Sequence, residues 1–259
     1  MKEKITLADL KKDRHGKCKN LPIEFKPLSR VSPYVSYFFI KFLPFTPNQV
    51  SFMWGILGLI SVLVMSFGGY WNLLTGILIF HLSILLDYVD GDMARALKKK
   101  TIGGTYLDAF FSWTLRALLM LGLGTGLFNY SNNIIYYYLG IWCCILLLID
   151  NLTKLKVHET MVSLGKYDLL KKLIDEREEN YEKGRKDSTE NWKQTSIFQK
   201  IKFYLPRFLT PNGMFSLLFF SIIFNFSQYY LILMSIIVLP FFIRNFIAIY
   251  KRIGNIANN

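Results

Sequence analysis

Three aspartates, Asp87, Asp90 and Asp108, stand at the ends of two long apolar segments of this 259-residue chain. On a helix, Asp87 and Asp90 share one face because they are three residues apart. An ionised carboxylate costs about 2.5–3.5 kcal/mol at the middle of a membrane helix and less near the boundary. Bound Mg²⁺, Mn²⁺ or Ca²⁺ offsets that cost, since these ions prefer oxygen ligands. If the two segments are neighbours, the three carboxylates therefore predict a divalent metal site.

Small and basic residues surround these aspartates in the sequence. Gly91, Ala94 and Gly104 carry little or no side chain, which leaves room beside the carboxylates for a bulky ligand. Arg95 and the lysines at 98–100 add positive charge that suits a phosphate group. Together, these residue types predict a site for a metal ion and a phosphate-bearing ligand.

A further aspartate, Asp92, lies in the same stretch of sequence. Each helical residue is rotated by about 100° from the one before it, so Asp92 does not share the face of Asp87 and Asp90. We therefore expect Asp92 to be a solvated acid or to pair with a lysine.

Long apolar segments must position these residues. Six of them have about the 20 residues needed to cross ~30 Å of hydrocarbon, and they are 48–68, 71–89, 107–128, 133–151, 211–227 and 229–249. Ahead of the first, the apolar and aromatic segment 29–44 is broken by Pro33 and Pro44 and is too short to cross. The predicted fold class is an all-α integral membrane protein, with six transmembrane helices and an N-terminal interfacial amphipathic helix.

These segments divide the chain into four predicted regions. Residues 1–47 form a cytoplasmic N-terminal and interfacial helix segment, and 48–151 hold the first four transmembrane helices with the aspartates. Residues 152–209 form a polar, cytoplasmic loop insertion with an amphipathic helix. Residues 210–259 hold the last two transmembrane helices and a short cytoplasmic tail.

The basic residues orient the predicted helices. The net charge is +13, and all but two of the 31 Lys and Arg residues lie before the first span, between the second and third, between the fourth and fifth, or after the sixth. The exceptions are Arg116 and Arg244. By the positive-inside rule, both termini and the aspartate site face the cytoplasm. Because the basic residues flank spans, we expect membrane lipids as partners and no nucleic acid.

The site residues form a spaced pattern: Asp87-x-x-Asp90-Gly91-x-x-Ala94-Arg95, eight residues, then Gly104-x-x-x-Asp108. This pattern resembles the signature of the CDP-alcohol phosphotransferase (CDP-alcohol phosphatidyltransferase) family, an integral membrane family with six spans. The resemblance implies transfer of a substituted phosphate from a CDP-alcohol donor to a hydroxyl-bearing acceptor, a lipid or a small alcohol. CMP is released, in phospholipid or related lipid or glycan biosynthesis. The resemblance also implies a homodimer.

The same resemblance assigns roles to residues of this chain. The metal ligands, for Mg²⁺ or Mn²⁺, are Asp87, Asp90 and Asp108. The nucleotide-binding residues are Gly91, Ala94, Arg95 and Gly104. Asn48 begins the first span on the same side of the membrane and is a further candidate for the nucleotide, with helix capping as the alternative.

One position departs from that signature. The family has a fourth aspartate four residues after the third, assigned as the base that activates the acceptor hydroxyl, and this chain has Ser112 there. A serine is not a general base near pH 7 unless another group takes its proton. Either another group is the base, or metal alone activates the acceptor, or the chain binds CDP without efficient turnover. Arg116 and Arg244 are candidates to bind an anionic acceptor, and pairing with a carboxylate is the alternative for Arg116.

Two other functions stay open on the sequence alone. The first is a non-catalytic relative that binds a CDP-alcohol, for which Ser112 is the evidence. The second is a transporter, because transporters are built from several spans and can carry buried acids along the transport pathway. The acids of this chain lie at one face of the membrane only, which argues against a transport pathway.

Three glycines at 122, 124 and 126 resemble a nucleotide-binding loop in composition. They lie inside an apolar predicted helix, where glycine lets two helices approach closely. We therefore expect them to pack against a neighbouring helix.

Overall fold

The structure is a computed structural model that describes residues 6–12, 25–43, 45–99, 101–163, 165 and 211–257. Every regular element among these residues is an α-helix, which confirms the all-α fold class. The helices are α1 (Leu7–Lys12), α2 (Phe25–Phe42), α3 (Pro47–Ser66), α4 (Tyr70–Ala96), α5 (Ile102–Ser131), α6 (Ile134–Ser163), α7 (Pro211–Ile223) and α8 (Ser227–Ala257). Most of the predicted insertion at 152–209 lies outside the described residues, and the division into four regions stays a prediction.

Five of these helices contain segments long and apolar enough to cross a membrane. They are Pro47–Ser66, Tyr70–Ala96, Ile102–Ser131, Ile134–Thr153 and Ser227–Lys251, and they identify an integral membrane protein. The fifth predicted span, 211–227, contains the 13-residue helix α7, which is about 20 Å long and shorter than the ~30 Å hydrocarbon layer. Within the described part of the chain, the helices of spanning length therefore number five.

The described residues form two compact units. One unit holds those up to residue 145 and from 211 to 236, and the second holds those from 146 to 165 and from 237 to 257. The aspartates at 87, 90 and 108 belong to the first unit. In the second unit, the Nδ2–H of Asn245 donates a 3.2 Å hydrogen bond to the buried carboxylate of Asp150.

Threonine caps fix where α3 and α5 begin. Thr46 and Gln49 form a capping box, in which each side chain accepts from the backbone N–H of the other, at 3.4 and 2.8 Å. Pro47 occupies the first turn, where its missing N–H has no helical partner to lose. At the start of α5, the N–H of Gly104 donates to Thr101 Oγ1 at 3.0 Å. Both helix ends are therefore held by local hydrogen bonds.

Helix α2 runs through Pro33 without a break, whereas the sequence predicted an interruption there. Pro33 lacks the amide N–H that a helix interior needs, but its ring is buried together with Ser32 and Ser36. Tertiary packing thus outweighs the lost hydrogen bond. The large apolar side chains that α2 exposes are Val31, Tyr34, Phe38 and Phe42. Such an exposed aromatic surface suits a helix at a membrane interface, the location that the sequence predicts.

Glycines bring α5 close to its neighbouring helices, as the sequence predicted. A Cβ on Gly122 would lie 2.9 Å from Val62 of α3. A Cβ on Gly124 would lie 2.6 Å from the carbonyl oxygen of Tyr136 and 2.7 Å from the Cα of Gly140, both in α6. Backbone atoms cannot move aside as the end of a flexible side chain can. These close contacts hold α5 against α3 and α6.

Gly124→Ala is expected to lower the free energy of unfolding by about 1–3 kcal/mol, because overpacking against fixed atoms is destabilising. The measurement is thermal unfolding of the purified protein in detergent. Gly103→Ala is the matched control on the same helix, since nothing lies within 4 Å of a Cβ at that position and alanine favours the helix. Equal melting temperatures for wild type and Gly124→Ala would contradict the close packing of α5 on α6.

Candidate active site

A pocket of about 490 Å³ lies among the start of α3, the end of α4 and the start of α5. Its volume is within the range of small-molecule sites. The lining residues are Pro47, Asn48, Ser51, Asp90, Gly91, Ala94, Arg95, Lys98, Lys99, Thr101, Gly104, Thr105 and Asp108. Acidic, basic and small residues therefore meet at one end of the helical bundle.

Most of the site residues predicted from the sequence line this pocket. They are Asn48, Asp90, Gly91, Ala94, Arg95, Gly104 and Asp108. Asp87 is half-buried on the preceding turn of α4, and Ser112 is exposed one turn after Asp108; both lie outside the lining. Arg116 is buried in α5, also outside the lining, and Arg244 belongs to the second compact unit. The pocket lining thus includes two of the three metal candidates and all of the nucleotide candidates, but none of those for the acceptor.

Asp90 places a buried carboxylate in the pocket wall. It is 8% exposed, and the hydroxyl of Ser51 on α3 donates a 2.7 Å hydrogen bond to its Oδ2. Asp108, exposed on α5, is close enough for the two carboxylates to repel each other. Two negative charges at short range are unfavourable unless a cation joins them. The pair is therefore suited to a bound cation.

Asn48, Thr101 and Gly104 connect the start of α3 to the start of α5. The Thr101 hydroxyl donates a 2.9 Å hydrogen bond to Asn48 Oδ1 and accepts from the N–H of Gly104. A Cβ on Gly104 would lie 2.5 Å from Asn48 Oδ1. Glycine at position 104 therefore provides room for the Asn48 side chain, which lines the pocket and faces α5. Asn48 is a pocket residue rather than the helix cap that was the alternative, since Thr46 supplies the cap.

Arg95 reaches back over its own helix to an acid. Its Nη2 lies 2.6 Å from Asp92 Oδ1, and a Cβ on Gly91 would lie 3.2 Å from its Nη1. The expectation that Asp92 is solvated or lysine-paired was wrong, because Asp92 is 2% exposed and pairs with an arginine. Its other oxygen, Oδ2, accepts a 2.5 Å hydrogen bond from the hydroxyl of Ser32 on α2. The prediction from helix rotation that Asp92 does not share the face of Asp90 was correct, since Asp92 does not line the pocket. The side to which Asp92 points is covered by α2 instead of solvent.

Lys98 lines the pocket and has an unusual backbone conformation. Its φ of 50° is left-handed, a conformation that glycine usually supplies just after a helix end. A lysine at such a position accepts a backbone cost that glycine avoids, which points to a use for its side chain. With Lys99 and Arg95, it gives the pocket lining three positive groups in addition to the two carboxylates.

The sequence reasoning missed the serine and threonine residues that support this site. Ser51, Thr101 and Ser32 bond to Asp90, Asn48 and Asp92 respectively. One signal for the α2 contact is present in the sequence: serines at 29, 32 and 36 recur at helical spacing in an otherwise aromatic segment. That periodicity predicts a small, polar helix face that packs against another polar group.

The donor set of the pocket fits a divalent cation that also binds phosphate. Among the described residues, no group of three or more Asp, Glu, His or Cys side chains is close enough together to hold one ion. Asp90 and Asp108 provide two carboxylates in the same pocket. Mg²⁺ is commonly held by one or two carboxylates, with substrate phosphates and water completing its shell. The pair therefore suits an ion that arrives together with a phosphate ligand.

Comparison with known proteins gives two matches. Residues 45–167 match the model of a family described as CDP-alcohol phosphatidyltransferase. A protein of Aquifex aeolicus (strain VF5), named bifunctional IPC transferase and DIPP synthase, is 33% identical to this chain over 84 residues. The match covers 32% of this chain and 17% of that relative, so the chain spans less than a fifth of the relative's length. Both the pocket and the spaced aspartates lie within the segment that matches the family.

Asp90→Asn is expected to raise the free energy of unfolding by about 0.5–2 kcal/mol in metal-free buffer. The amide keeps the shape and can still accept from Ser51, but it removes the repulsion from Asp108 and the cost of burying a charge. Thermal unfolding in detergent with a chelator measures the change. Asp92→Asn, two residues away and equally isosteric, is the contrasting variant and is expected to be destabilised, because Asp92 is already paired. A loss of stability in both variants would contradict this account of Asp90.

Proposed function

We propose that this chain, whose residues 45–167 match the CDP-alcohol phosphatidyltransferase family model, transfers a substituted phosphate group from a CDP-linked alcohol to a hydroxyl-bearing acceptor, with release of CMP. The observation that carries the proposal is the pocket itself. It joins Asp90 and Asp108, from two different helices, with Arg95 and two lysines. A diphosphate needs this combination, since carboxylates hold its metal counterion and basic side chains bind its oxygens.

Each part of the donor has a complementary part of the pocket. Asp90 and Asp108 would hold Mg²⁺ or Mn²⁺, which when bound neutralises the diphosphate and stabilises the charge on the departing CMP. Arg95, Lys98 and Lys99 offer N–H donors to the phosphate oxygens. Gly91, Ala94, Gly104 and Asn48 form the small and polar wall that we assign to the cytidine. Asp87 is proposed as a further metal ligand, from the half-buried turn that precedes Asp90.

The reaction that we propose is a substitution at the phosphorus atom of the donor's alcohol phosphate. The acceptor oxygen forms a new P–O bond, the P–O bond to CMP breaks, and CMP leaves with the bonding electrons. The acceptor hydroxyl loses its proton, which needs a base. Asp108 is the exposed carboxylate of the pocket lining, whereas Asp90 is buried and bonded to Ser51. We therefore assign this proton to Asp108.

The surroundings of the pocket support a reaction at the membrane surface. The pocket lies where α4 ends and α5 begins, next to the lysine-rich turn that the positive-inside rule places in the cytoplasm. A lipid or a small alcohol is the acceptor that we propose, with Arg116 and Arg244 as candidates to bind an anionic one. The cytoplasmic orientation of both termini, the homodimer and a role in phospholipid or related lipid or glycan biosynthesis belong to the same proposal.

We expect the purified full-length protein to release CMP from at least one CDP-alcohol in the presence of Mg²⁺ or Mn²⁺. Asp90→Asn and Asp108→Asn are each expected to lower that rate by ~100-fold or more, because the charge on the departing group loses its stabilisation. The measurement is CMP release across a panel of CDP-alcohols. Asp9→Asn removes a carboxylate on α1, outside the pocket, and is expected to leave the rate unchanged. Undiminished release by Asp90→Asn would place the chemistry outside this pocket.

A non-catalytic relative is the second candidate function, and Ser112 is the observation that favours it. Such a protein would bind a CDP-alcohol in the same pocket without cleaving it. Metal-dependent binding of CDP, with no release of CMP from any donor in the panel, would favour this candidate over the transferase.

Ser112→Asp is expected to raise kcat by about tenfold or more, because it places a carboxylate one helical turn after Asp108, and a positioned general base typically contributes ~10²–10⁴-fold. Ser112→Asn is the matched control, since asparagine has the same size as aspartate but does not accept the proton. The measurement is kcat for CMP release at saturating donor and acceptor. An equal gain in both variants would exclude a base effect, and no gain in Ser112→Asp would mean that proton removal does not limit turnover.

A further inference from the structure

Asp92 lies behind the pocket and not in it. Its carboxylate is 2% exposed and is absent from the lining residues. Its two oxygens face different helices: Oδ1 is 2.6 Å from Arg95 Nη2 on α4, and Oδ2 accepts a 2.5 Å hydrogen bond from Ser32 on α2. The family signature leaves position 92 unassigned. The structure therefore gives this acid contacts for which the proposed reaction has no direct use.

We propose that Asp92, itself held by the serine face of α2, is a positioning residue that sets the orientation of Arg95 in the pocket. The proposal rests on the proposed function for its substrate, a CDP-alcohol. The ion pair with Asp92 holds the guanidinium of Arg95 close to Gly91. The absence of a side chain at Gly91 makes this position possible, since a Cβ there would lie 3.2 Å from Nη1 and 3.5 Å from Nη2.

The contact leaves Arg95 able to bind an anion. A guanidinium has five N–H donors in a rigid fork, and the ion pair with Asp92 involves Nη2. Arg95 remains partly exposed, with 38% of its side chain accessible, while that of Asp92 is 1% accessible. A fixed arginine loses less conformational entropy when it binds a phosphate than a mobile one does. Asp92 would therefore improve donor binding without touching the donor.

Helix α2 completes this arrangement from outside the segment that matches the family. Ser32 and Ser36 are one turn apart, and the Ser36 hydroxyl donates to the carbonyl of Ser32 at 2.8 Å and lies 3.5 Å from Asp92 Oδ2. Apolar contacts keep the two helices together, since Val35 and Phe39 of α2 pack against a core that includes Val89 and Met93 of α4. The position of α2 is thereby linked to a basic group of the pocket.

A double-mutant cycle on CMP release tests the link to Arg95. Asp92→Asn is expected to raise the KM for the CDP-alcohol by about tenfold, the size of effect typical for a residue that orients a binding group, with a smaller change in kcat. In the Arg95→Ala background, Asp92→Asn is expected to raise KM no further. An equal rise in both backgrounds would overturn the proposal, because Asp92 would then act by a route that does not include Arg95.

A second measurement on the full chain does not depend on turnover. Phenylglyoxal modifies accessible arginines, and mass spectrometry of peptides reports the labelling rate of Arg95. Both Asp92→Asn and Ser32→Ala are expected to speed that labelling several-fold. The first variant removes the charged partner of the guanidinium, and the second removes the hydrogen bond from α2 that holds that partner in place. Ser61→Ala is the matched control, since it removes an equally buried hydroxyl on α3, and is expected to label as wild type does.

The two measurements separate this proposal from the proposed function. If no donor yields CMP but the two variants label faster, the transferase is contradicted and the positioning role stands. If CMP release is normal and Arg95 labels at the wild-type rate in both variants, the positioning role is overturned. Should Asp92→Asn fail to fold, the labelling rate of Ser32→Ala decides alone.

Discussion

The burial of two carboxylates within one turn of α4 determines which helices must pack around the end of that helix. Asp90 and Asp92 are two residues apart, so they point to nearly opposite sides of the helix. Asp90 accepts from Ser51 on α3, and Asp92 accepts from Ser32 on α2. An acid removed from water needs hydrogen-bond donors or a counterion. The end of α4 therefore requires a helix with polar groups on each side, and α2 and α3 are those helices.

The two acids serve different ends because their partners differ. Asp92 has a cation in the protein, Arg95, and its negative charge is compensated within the fold. Asp90 has a neutral hydroxyl and faces a second carboxylate, that of Asp108. The repulsion between these two acids lowers stability even though the charge of Arg95 offsets part of it for Asp90, and proteins commonly accept such a cost where a ligand binds. The same turn of helix thus carries one acid that stabilises the structure and one that is suited to a cation.

The sequence predicted the residues that line the pocket better than the residues that hydrogen-bond to them from neighbouring helices. Seven of the residues singled out by type and spacing line one cavity, because a helical repeat fixes which positions share a face. The neighbours of Asp92 were not predictable in this way, since Ser32 is 60 residues away and its approach depends on how α2 packs. The prediction of a break at Pro33 failed for a related reason. The local preference of proline disfavours a helix interior, but the burial of its ring in tertiary packing keeps α2 continuous. Apolar length alone also cannot define a span, because α7 occupies only 13 residues of the predicted fifth segment.

The contact between α2 and α4 also has a consequence for biogenesis. A chain emerges from the ribosome N-terminus first, so Ser32 and Ser36 are made before Asp92. Arg95 follows Asp92 within one turn of the same helix. When α4 enters the bilayer, the partners of its buried acid are thus already synthesised or about to be, and the carboxylate need not cross into apolar surroundings unaccompanied. The order of the helices along the chain matches the order in which their polar contacts are needed.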